Sequence, residues 1–255
     1  MKTLKVGMLG CGNVGSQIAR LLVANKADLA SRSGAQLELV KVAVKDIKAK
    51  RDGIATSLLT DDPYSVVNDP EIDLIIEVIG GISPAKELIL AAFKNGKSVV
   101  TANKALLAKE GAALYQAAGE ANVDLYYEAA VAGAIPILRP LRESLVGDHV
   151  RRIMGIVNGT TNYILTKMDE SGTAFADALK QAQELGFAEA DPTADVEGID
   201  ASDKAAILAG LAFHSRVTDK DVYREGITKI TATDVKVAKA MDMVIKLLAI
   251  TELTA

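Results

Sequence analysis

Short apolar runs alternate with amphipathic stretches along the first half of the chain. The apolar runs predict strands over residues 4–10, 37–44, 72–80, 97–103 and 123–130. Between them, apolar residues at helical spacing predict helices over residues 13–25, 83–96 and 104–122. In the first helix the predicted apolar face consists of Val14, Ile18, Leu21 and Leu22. Strand–helix alternation over this length favours a doubly wound, parallel α/β sheet.

The pattern changes after the small-residue stretch "AGAIPI" at residues 132–137. One strand is predicted over residues 149–159, and amphipathic helices follow over residues 161–172, 173–186 and 200–213. We therefore predict a first domain over residues 1–132 and a second, α+β domain over residues 133–255.

The stretch "GCGNVG" lies between the first predicted strand and the first predicted helix. This context favours a Rossmann-like dinucleotide site, in which Gly10 permits the tight turn, Gly12 admits the pyrophosphate and Gly15 allows close packing. Asn13 and Val14 begin the helix, whose N-terminus favours an anion. The alternative is a plain strand–helix turn, with Cys11 as a small filler.

The end of the second predicted strand bears on the choice of cofactor. Asp46 is placed to accept from a ribose 2′-hydroxyl, which favours NAD. Four cations in the same stretch favour the 2′-phosphate of NADP instead, namely Lys45, Lys48, Lys50 and Arg51. A solvated charged loop accounts for some of these residues. The basic cluster makes NADP the preferred prediction and leaves NAD open.

Composition excludes several classes of protein. The 255 residues are 49% apolar and 24% charged with a net charge of −4, and the cations are scattered, so we expect no nucleic-acid partner. No apolar run is long enough for a membrane helix, and the N-terminus lacks a secretory pattern. The single cysteine fits a reducing cytoplasm, where we expect the protein. Two histidines leave little material for a zinc site or a serine–histidine–aspartate triad.

Two lysines stand out by position. Lys104 follows a predicted strand at the start of a helix, where its charge opposes the helix dipole, so a functional role is favoured over a surface role. Lys204 ends an acidic stretch, residues 189–204, and enters a helix beside Ile207 and Leu208. Asp200, four residues earlier, is placed to pair with it. A buried structural ion pair and an acid/base lysine both remain open.

In two further stretches the residue types favour functions carried by backbone atoms. Residues 126–136 are rich in small residues, so their carbonyl groups are able to approach an ion. Asn158, Gly159, Thr160 and Thr161 lie between a predicted strand and a predicted helix. Such a turn either holds a carboxylate on backbone N–H groups or caps the helix.

The motifs, in order and spacing, resemble those of homoserine dehydrogenase over essentially the whole chain. They are "GxGNVG", "EVIGG", "TANKALLA", "EAAVAGAIPI", "GIVNGTTNYILTKM", "LGFAEADPTADVEGIDASDKAAILA" and "GITKITATDV". The resemblance implies NAD(P)-dependent interconversion of L-homoserine and L-aspartate 4-semialdehyde, on the aspartate route to threonine and methionine. It also implies a homodimer formed through the substrate domain.

The resemblance assigns roles to individual residues. Lys204 is implied as the acid/base, with Lys104 as the second active-site lysine near the nicotinamide. Glu189, Asp200 and Thr160 are implied at the substrate, and the other four acids of residues 189–204 are interpreted as loop or capping carboxylates. Gly186 is implied near the cofactor. A monovalent cation such as sodium is implied at Glu128, Val131, Gly133 and Ile135, largely through backbone oxygens.

The family's chains continue beyond "MVIKLLAITELTA", so we expect an incomplete substrate domain without an ACT domain. Two alternatives to the dehydrogenase remain. One is a non-catalytic dinucleotide-binding fragment, and the other is a different amino-acid or semialdehyde oxidoreductase. A phosphorylating semialdehyde dehydrogenase is excluded, because its cysteine nucleophile has no counterpart outside the glycine loop.

Overall fold

The computed structural model describes residues 1–51 and 53–254. The chain divides into two compact units, Met1–Ala130 and Val131–Ala255. This division falls close to the predicted boundary between residues 132 and 133.

The first unit is built on six parallel strands in the order β3-β2-β1-β4-β5-β6. The strands are β1 (Lys2–Leu9), β2 (Ala35–Ala43), β3 (Leu59–Thr60), β4 (Leu74–Glu77), β5 (Ser98–Thr101) and β6 (Leu125–Tyr126). The predicted parallel sheet is confirmed, with one strand more than the pattern indicated. The two residues of β3 are too few for a periodicity signal. Strand order reverses between β1 and β4, which is where dinucleotides bind in such sheets.

Five α-helices within the described residues accompany this sheet. They are α1 (Asn13–Ala24), α2 (Lys26–Ser33), α3 (Tyr64–Val67), α4 (Ala85–Lys94) and α5 (Lys104–Ala121). The predicted apolar face of α1 is partly wrong. Val14 and Leu21 are 55% and 53% exposed, whereas Gly15, Ala19 and Leu22 are buried. Small residues face the sheet because α1 must pack closely against it directly after the glycine loop.

The second unit is mainly helical, with one small sheet, in agreement with the predicted α+β class. Its helices are α6 (Gly159–Ser171), α7 (Phe175–Glu184), α8 (Thr193–Val196), α9 (Ile199–Phe213) and α10 (Ala232–Ala240). Strands β7 (Arg152–Gly155) and β8 (Ala249–Glu252) pair antiparallel. A core around Ile164, Leu165 and Met168 of α6 joins α6 to α7, α8 and α10. Helix α9 packs against β8.

Within the described residues, no helix combines the length and the apolar character needed to cross a bilayer.

Candidate active site

The glycine loop of the first unit has little room at two of its three glycines. Gly10 has a φ of 95°, and a Cβ there would lie 2.7 Å from the carbonyl oxygen of Val78. A Cβ at Gly15 would lie 2.5 Å from the carbonyl oxygen of Gly10. These two glycines therefore hold β1, α1 and the end of β4 together, as a tight phosphate-binding turn requires.

Gly12 differs from its neighbours because a Cβ there would meet no atom within 4 Å. It is the N-cap of α1, no side chain caps this helix end, and its first turn contains no acid. Asn13 and Val14 follow and are exposed. Open space above a bare helix N-terminus fits the pyrophosphate of a dinucleotide.

The stretch after β2 is organised by two of its own side chains. Asp46 Oδ1 accepts from the backbone N–H of Lys48 at 2.8 Å and from that of Ala49 at 3.3 Å. Arg51 Nη1 donates to the carbonyls of Asp46 at 2.8 Å and Ala49 at 2.9 Å, and its Nε donates to that of Cys11 at 3.4 Å. Asp46 and Arg51 thus shape the loop, and Lys45 stands exposed at its start.

Lys104 is the first residue of α5 and follows β5 at the carboxyl edge of the sheet. The preceding residue, Asn103, caps this helix, since its Oδ1 accepts from the N–H of Leu106 at 3.2 Å. Lys104 is half-buried. Because all six strands are parallel, Lys104 shares one edge with the glycine loop and with Lys45.

A separate cleft of about 680 Å³ lies in the second unit. It collects residues from the start of α6, from the α7–α8 connection and from α8 and α9. Its lining consists of Asn158, Gly159, Thr160, Asn162, Tyr163, Thr166, Lys167, Gly186, Phe187, Asp195, Asp200 and Lys204. Four of the residues implied by the resemblance therefore meet here, namely Lys204, Asp200, Thr160 and Gly186.

Lys204 forms the ion pair predicted from spacing. Its Nζ lies 2.7 Å from Asp200 Oδ2, and the side chains are 15% and 10% exposed. The same Nζ donates to the carbonyl oxygen of Val157 at 2.6 Å. Ile207 and Leu208, which follow on α9, are buried. Two of the three N–H bonds of the ammonium are thus engaged at the wall of the cleft.

Asn158 ties the acidic side chains together. Its Nδ2 donates to Asp195 Oδ1 at 2.7 Å and to Asp200 Oδ2 at 3.0 Å. Its Oδ1 accepts from the backbone N–H of Thr161 at 2.8 Å and from the hydroxyl of Thr161 at 2.9 Å. The predicted capping of the helix is therefore confirmed, and the same amide positions two carboxylates.

Asp195 is one of the four acids interpreted as loop or capping carboxylates, and the structure places it at the cleft. Its carboxylate lines the cleft beside Asp200, held by an amide that lies 37 residues away in sequence. Nothing in the composition of residues 189–204 distinguishes Asp195 from the other acids there. The neighbouring Asp191 fits the capping interpretation, because the hydroxyl and N–H of Thr193 donate to it and hold the pKa of its carboxyl below the usual value.

Glu189 is exposed and is not among the residues that line the cleft. It follows Gly186, whose φ of 75° turns the chain after α7. Thr160 anchors this turn, since its hydroxyl donates to the carbonyl of Phe187 at 2.6 Å. The ring of Phe187 packs against Tyr163 with centroids 5.1 Å apart. The turn is thus fixed to α6, with Glu189 just beyond it.

The residues implied for a cation differ in exposure. Glu128 is half-buried and Val131 is buried, whereas Gly133 and Ile135 are exposed. Ala132 and Ala134 have φ values of 53° and 64°, a conformation uncommon for alanine. Residues 1–51 and 53–254 contain no group of three or more histidine, cysteine or acidic side chains suited to a metal ion. Ligation by backbone carbonyls is a different chemistry, and the cation site stays a prediction.

Comparison with known proteins identifies both units. Residues 10–128 match the NAD-binding domain of homoserine dehydrogenase, and residues 136–255 match the homoserine dehydrogenase family itself. A structure from Archaeoglobus fulgidus, provisionally named as this enzyme, is 33% identical with a TM-score of 0.87, and the match covers 98% of this chain and 80% of that one. The chain belongs to the homoserine dehydrogenase family.

Two further family members are closer in sequence and longer, and a third is more distant in sequence. Homoserine dehydrogenase of Corynebacterium glutamicum is 55% identical over 97% of this chain, which spans only 56% of that protein. The crystal structure of the enzyme from Thiobacillus denitrificans is 45% identical with a TM-score of 0.94, covering 100% of this chain and 59% of that one. A hyperthermophilic archaeal homoserine dehydrogenase in complex with NADPH is 26% identical with a TM-score of 0.79, covering 98% and 79%. This chain thus spans just over half the length of the curated relative.

Proposed function

We propose that the chain carries the active site of an NADP-dependent homoserine dehydrogenase, which interconverts L-homoserine and L-aspartate 4-semialdehyde. The observation that carries this proposal is the Lys204 ammonium at the wall of a cleft, hydrogen-bonded to Asp200 at 2.7 Å and to Val157 at 2.6 Å. Family membership supports the reaction, and the cleft supplies side chains suited to it.

Lys204 is proposed as the acid/base. In the oxidation of homoserine, the hydroxyl proton passes to the Lys204 nitrogen in its neutral form, while the carbinol carbon loses a hydride. A bound nicotinamide cofactor would supply the acceptor for that hydride. In the reverse direction the Lys204 ammonium donates a proton to the aldehyde oxygen. Two fixed partners leave one position on the nitrogen for the substrate oxygen.

The ammonium and the carboxylate of the substrate amino acid need binding partners of opposite charge. Asp195 and Asp200, which line the cleft, are proposed to attract the substrate ammonium, together with Glu189, which follows the turn that Thr160 anchors. The start of α6, at Gly159 and Thr160, is proposed to receive the substrate carboxylate, because the first N–H groups of a helix lack partners within the helix.

The glycine loop is proposed to hold the pyrophosphate through Gly10, Gly12, Asn13, Val14 and Gly15. NADP is preferred over NAD because Asp46 is engaged in its own turn and Lys45 is exposed beside it. The NADPH complex of the archaeal relative supports this preference. Lys104 and Gly186 are proposed at the nicotinamide end. We retain the monovalent cation at Glu128, Val131, Gly133 and Ile135 as part of the proposal.

A homodimer through the second unit is also proposed. On the small sheet, Met154 lies opposite Ile250, and these side chains are 56% and 48% exposed. Paired apolar side chains on an open sheet face favour an interface with another protein surface. Sedimentation of the purified chain at micromolar concentration is expected to give a dimer, and a monomer at all concentrations would contradict this part of the proposal.

The enzymatic proposal is tested with the purified chain, L-homoserine and either NADP⁺ or NAD⁺, following the near-ultraviolet absorbance of the reduced nicotinamide. We expect homoserine-dependent reduction, with the higher kcat/KM for NADP⁺. Binding of NADPH without any homoserine-dependent signal would instead favour a non-catalytic dinucleotide-binding fragment.

A further inference from the structure

Glu77, the last residue of β4, is a carboxylate with no exposed surface. Its Oε1 accepts from the backbone N–H of Ile79 at 2.8 Å and from that of Gly80 at 3.3 Å. Its Oε2 accepts from the hydroxyl of Thr101 at 2.6 Å. Carboxylates are almost never buried completely unless polar partners surround them, so this group has a specific role to explain.

The hydrogen bonds continue from Thr101 into the next loop. The Thr101 hydroxyl accepts from the N–H of Asn103 at 3.0 Å, and Asn103 Nδ2 donates to the carbonyl of Gly81 at 2.7 Å. Asn103 also caps α5. A closed network thus links the loop after β4 with the loop after β5, and Lys104 is the next residue along the chain.

The location of this network relates it to one half of the cofactor. The sheet order reverses between β1 and β4, and each side of such a reversal binds one mononucleotide. The glycine loop follows β1, and the stretch that contains Lys45, Asp46 and Arg51 follows β2. Both lie on the adenosine side. Glu77 and Thr101 end β4 and β5, on the nicotinamide side. Because they are buried, they act on a bound cofactor only through the loops they hold.

We propose that Glu77 is a positioning residue for the nicotinamide half of the cofactor, acting together with Thr101 and Asn103. Its carboxylate fixes residues 79–81 against residues 102–104, so that the two loops and Lys104 form one rigid surface. The inference rests on the proposed dinucleotide function. It adds that the loops after β1 and β2 serve the adenosine half of the cofactor, whereas the loops after β4 and β5 position its nicotinamide half.

Two nearly isosteric variants break the same link from opposite sides. Glu77→Gln keeps one oxygen for the N–H groups of Ile79 and Gly80 but replaces the acceptor of the Thr101 hydroxyl with an amide donor. Thr101→Val removes the hydroxyl and keeps the shape. Asn95→Ala is the matched control, because Asn95 Nδ2 donates to the carbonyl of Val67 and to Asn68 near the start of β5, away from the carboxyl edge.

The measurement compares the dissociation constants of NADPH and of 2′-phospho-ADP-ribose, which lacks the nicotinamide, by calorimetry. We expect Glu77→Gln and Thr101→Val each to weaken NADPH binding by about 10-fold or more, the scale of one lost charged hydrogen bond. Binding of the nicotinamide-free compound should change by less than about 2-fold. The double variant should be no worse than Thr101→Val alone, since that variant already lacks the hydroxyl that bonds to Glu77. Asn95→Ala should leave the ratio of the two constants unchanged.

Equal loss of affinity for both compounds, or no loss for either, would show that Glu77 is merely structural and would overturn the inference. Thr101→Val makes the same comparison in a fold that keeps the Glu77 carboxylate, so the test does not depend on the stability of Glu77→Gln alone. Failure of the unmutated chain to bind either compound is a different result, because it contradicts the dinucleotide function itself.

Discussion

Asn158 controls the geometry of the acidic side of the cleft. All four hydrogen-bonding positions of its amide are used, two by the carboxylates of Asp195 and Asp200 and two by Thr161. Two carboxylates that share a site repel each other, and a neutral donor between them lowers that cost. Asn158 thereby keeps Asp200 where Lys204 meets it.

We expect Asn158→Asp to lower kcat/KM for L-homoserine by about 10-fold or more, since it replaces the shared donor with a third carboxylate. NADPH affinity should be unchanged, because the Asn158 amide bonds to Asp195, Asp200 and Thr161 and to none of the residues proposed for the cofactor. Steady-state kinetics and a nucleotide titration measure both quantities, with the exposed Asn25→Asp as the control. Unaltered homoserine kinetics would contradict the role of Asn158 in positioning the carboxylates of the cleft.

At the scale of single residues, the sequence predicted what depends on local spacing. Lys204 and Asp200 are four residues apart on one helix, and their pairing followed from that alone. The position of Asp195 depends on a contact with Asn158 across 37 residues, and nothing in the local pattern distinguishes it from Asp191. The exposed position of Glu189 likewise depends on the turn at Gly186.

At the scale of elements, two glycines of the glycine loop serve different purposes, since Gly15 is needed for folding and Gly12 is proposed to serve cofactor binding. Gly15 is required by packing, because a Cβ would collide with the backbone of Gly10, whereas the space above Gly12 is open. The same packing explains the face of α1. A helix that approaches the sheet this closely must turn Gly15 and Ala19 towards it, so the larger Val14 and Leu21 point outwards.

Gly12→Ala and Gly15→Ala are therefore expected to differ. Gly12→Ala should change the free energy of unfolding without cofactor by less than about 0.5 kcal/mol, because Gly12 has a φ of −81° and no neighbour in the way. It should weaken NADPH binding by about 10-fold or more through lost access to the pyrophosphate. Gly15→Ala should lower stability by about 1–3 kcal/mol through overpacking. Urea denaturation and NADPH titration of both variants check this, and equal stabilities would contradict it.

A second element-scale prediction concerns the link between β2 and the turn before β4. Lys41 Nζ lies 2.7 Å from Asp69 Oδ2. The hydrogen bond from Lys41, with a further one from the N–H of Glu71, holds the pKa of the Asp69 carboxyl below its usual value. A depressed carboxyl pKa stabilises the fold above the unfolded-state value, and this stabilisation is lost as the pH falls through the folded-state value.

We expect Lys41→Met to lower the free energy of unfolding by about 1 kcal/mol at neutral pH. The difference in the free energy of unfolding between the variant and the unmutated protein should narrow as the pH falls below about 4, where carboxyl groups usually titrate. Asp69 then becomes protonated in the unmutated protein as well, and the ion pair is lost. Urea denaturation across this pH range measures it, with the exposed Lys48→Met as the control. A difference that is constant with pH would show that the ion pair contributes nothing.

The longer elements were predictable because periodicity accumulates over many residues. The strand–helix alternation gave the parallel sheet, and the carboxyl-edge rule brought Lys104 and the glycine loop to one side of it. Among the elements that were missed, β3 (Leu59–Thr60) and α3 (Tyr64–Val67) are too short, at two and four residues, to define a period, and the longer helices α2 and α10 were not predicted either. In the structure β3 pairs with β2, and α3 packs against β1 and β2.

At the scale of the whole molecule, the chain consists of two units with distinct chemistry. The first has the loop geometry for a dinucleotide, and the second has the lysine and carboxylates that we propose act on an amino-acid alcohol. The proposed dehydrogenation requires both sets, because the proposed hydride transfer needs the dinucleotide and the proposed proton transfer needs Lys204. The sequence reveals both sets, but the order of the strands and the contents of the cleft depend on contacts between distant residues.

The most direct test of this account is the turnover of Lys204→Met with L-homoserine and NADP⁺, measured beside its NADPH affinity. We predict a fall in kcat of about 100-fold or more, the scale of a lost general acid/base, with NADPH affinity unchanged. Lys180→Met, at an exposed lysine of α7, should retain full turnover. A Lys204→Met variant that turns over homoserine at the unmutated rate would contradict the account.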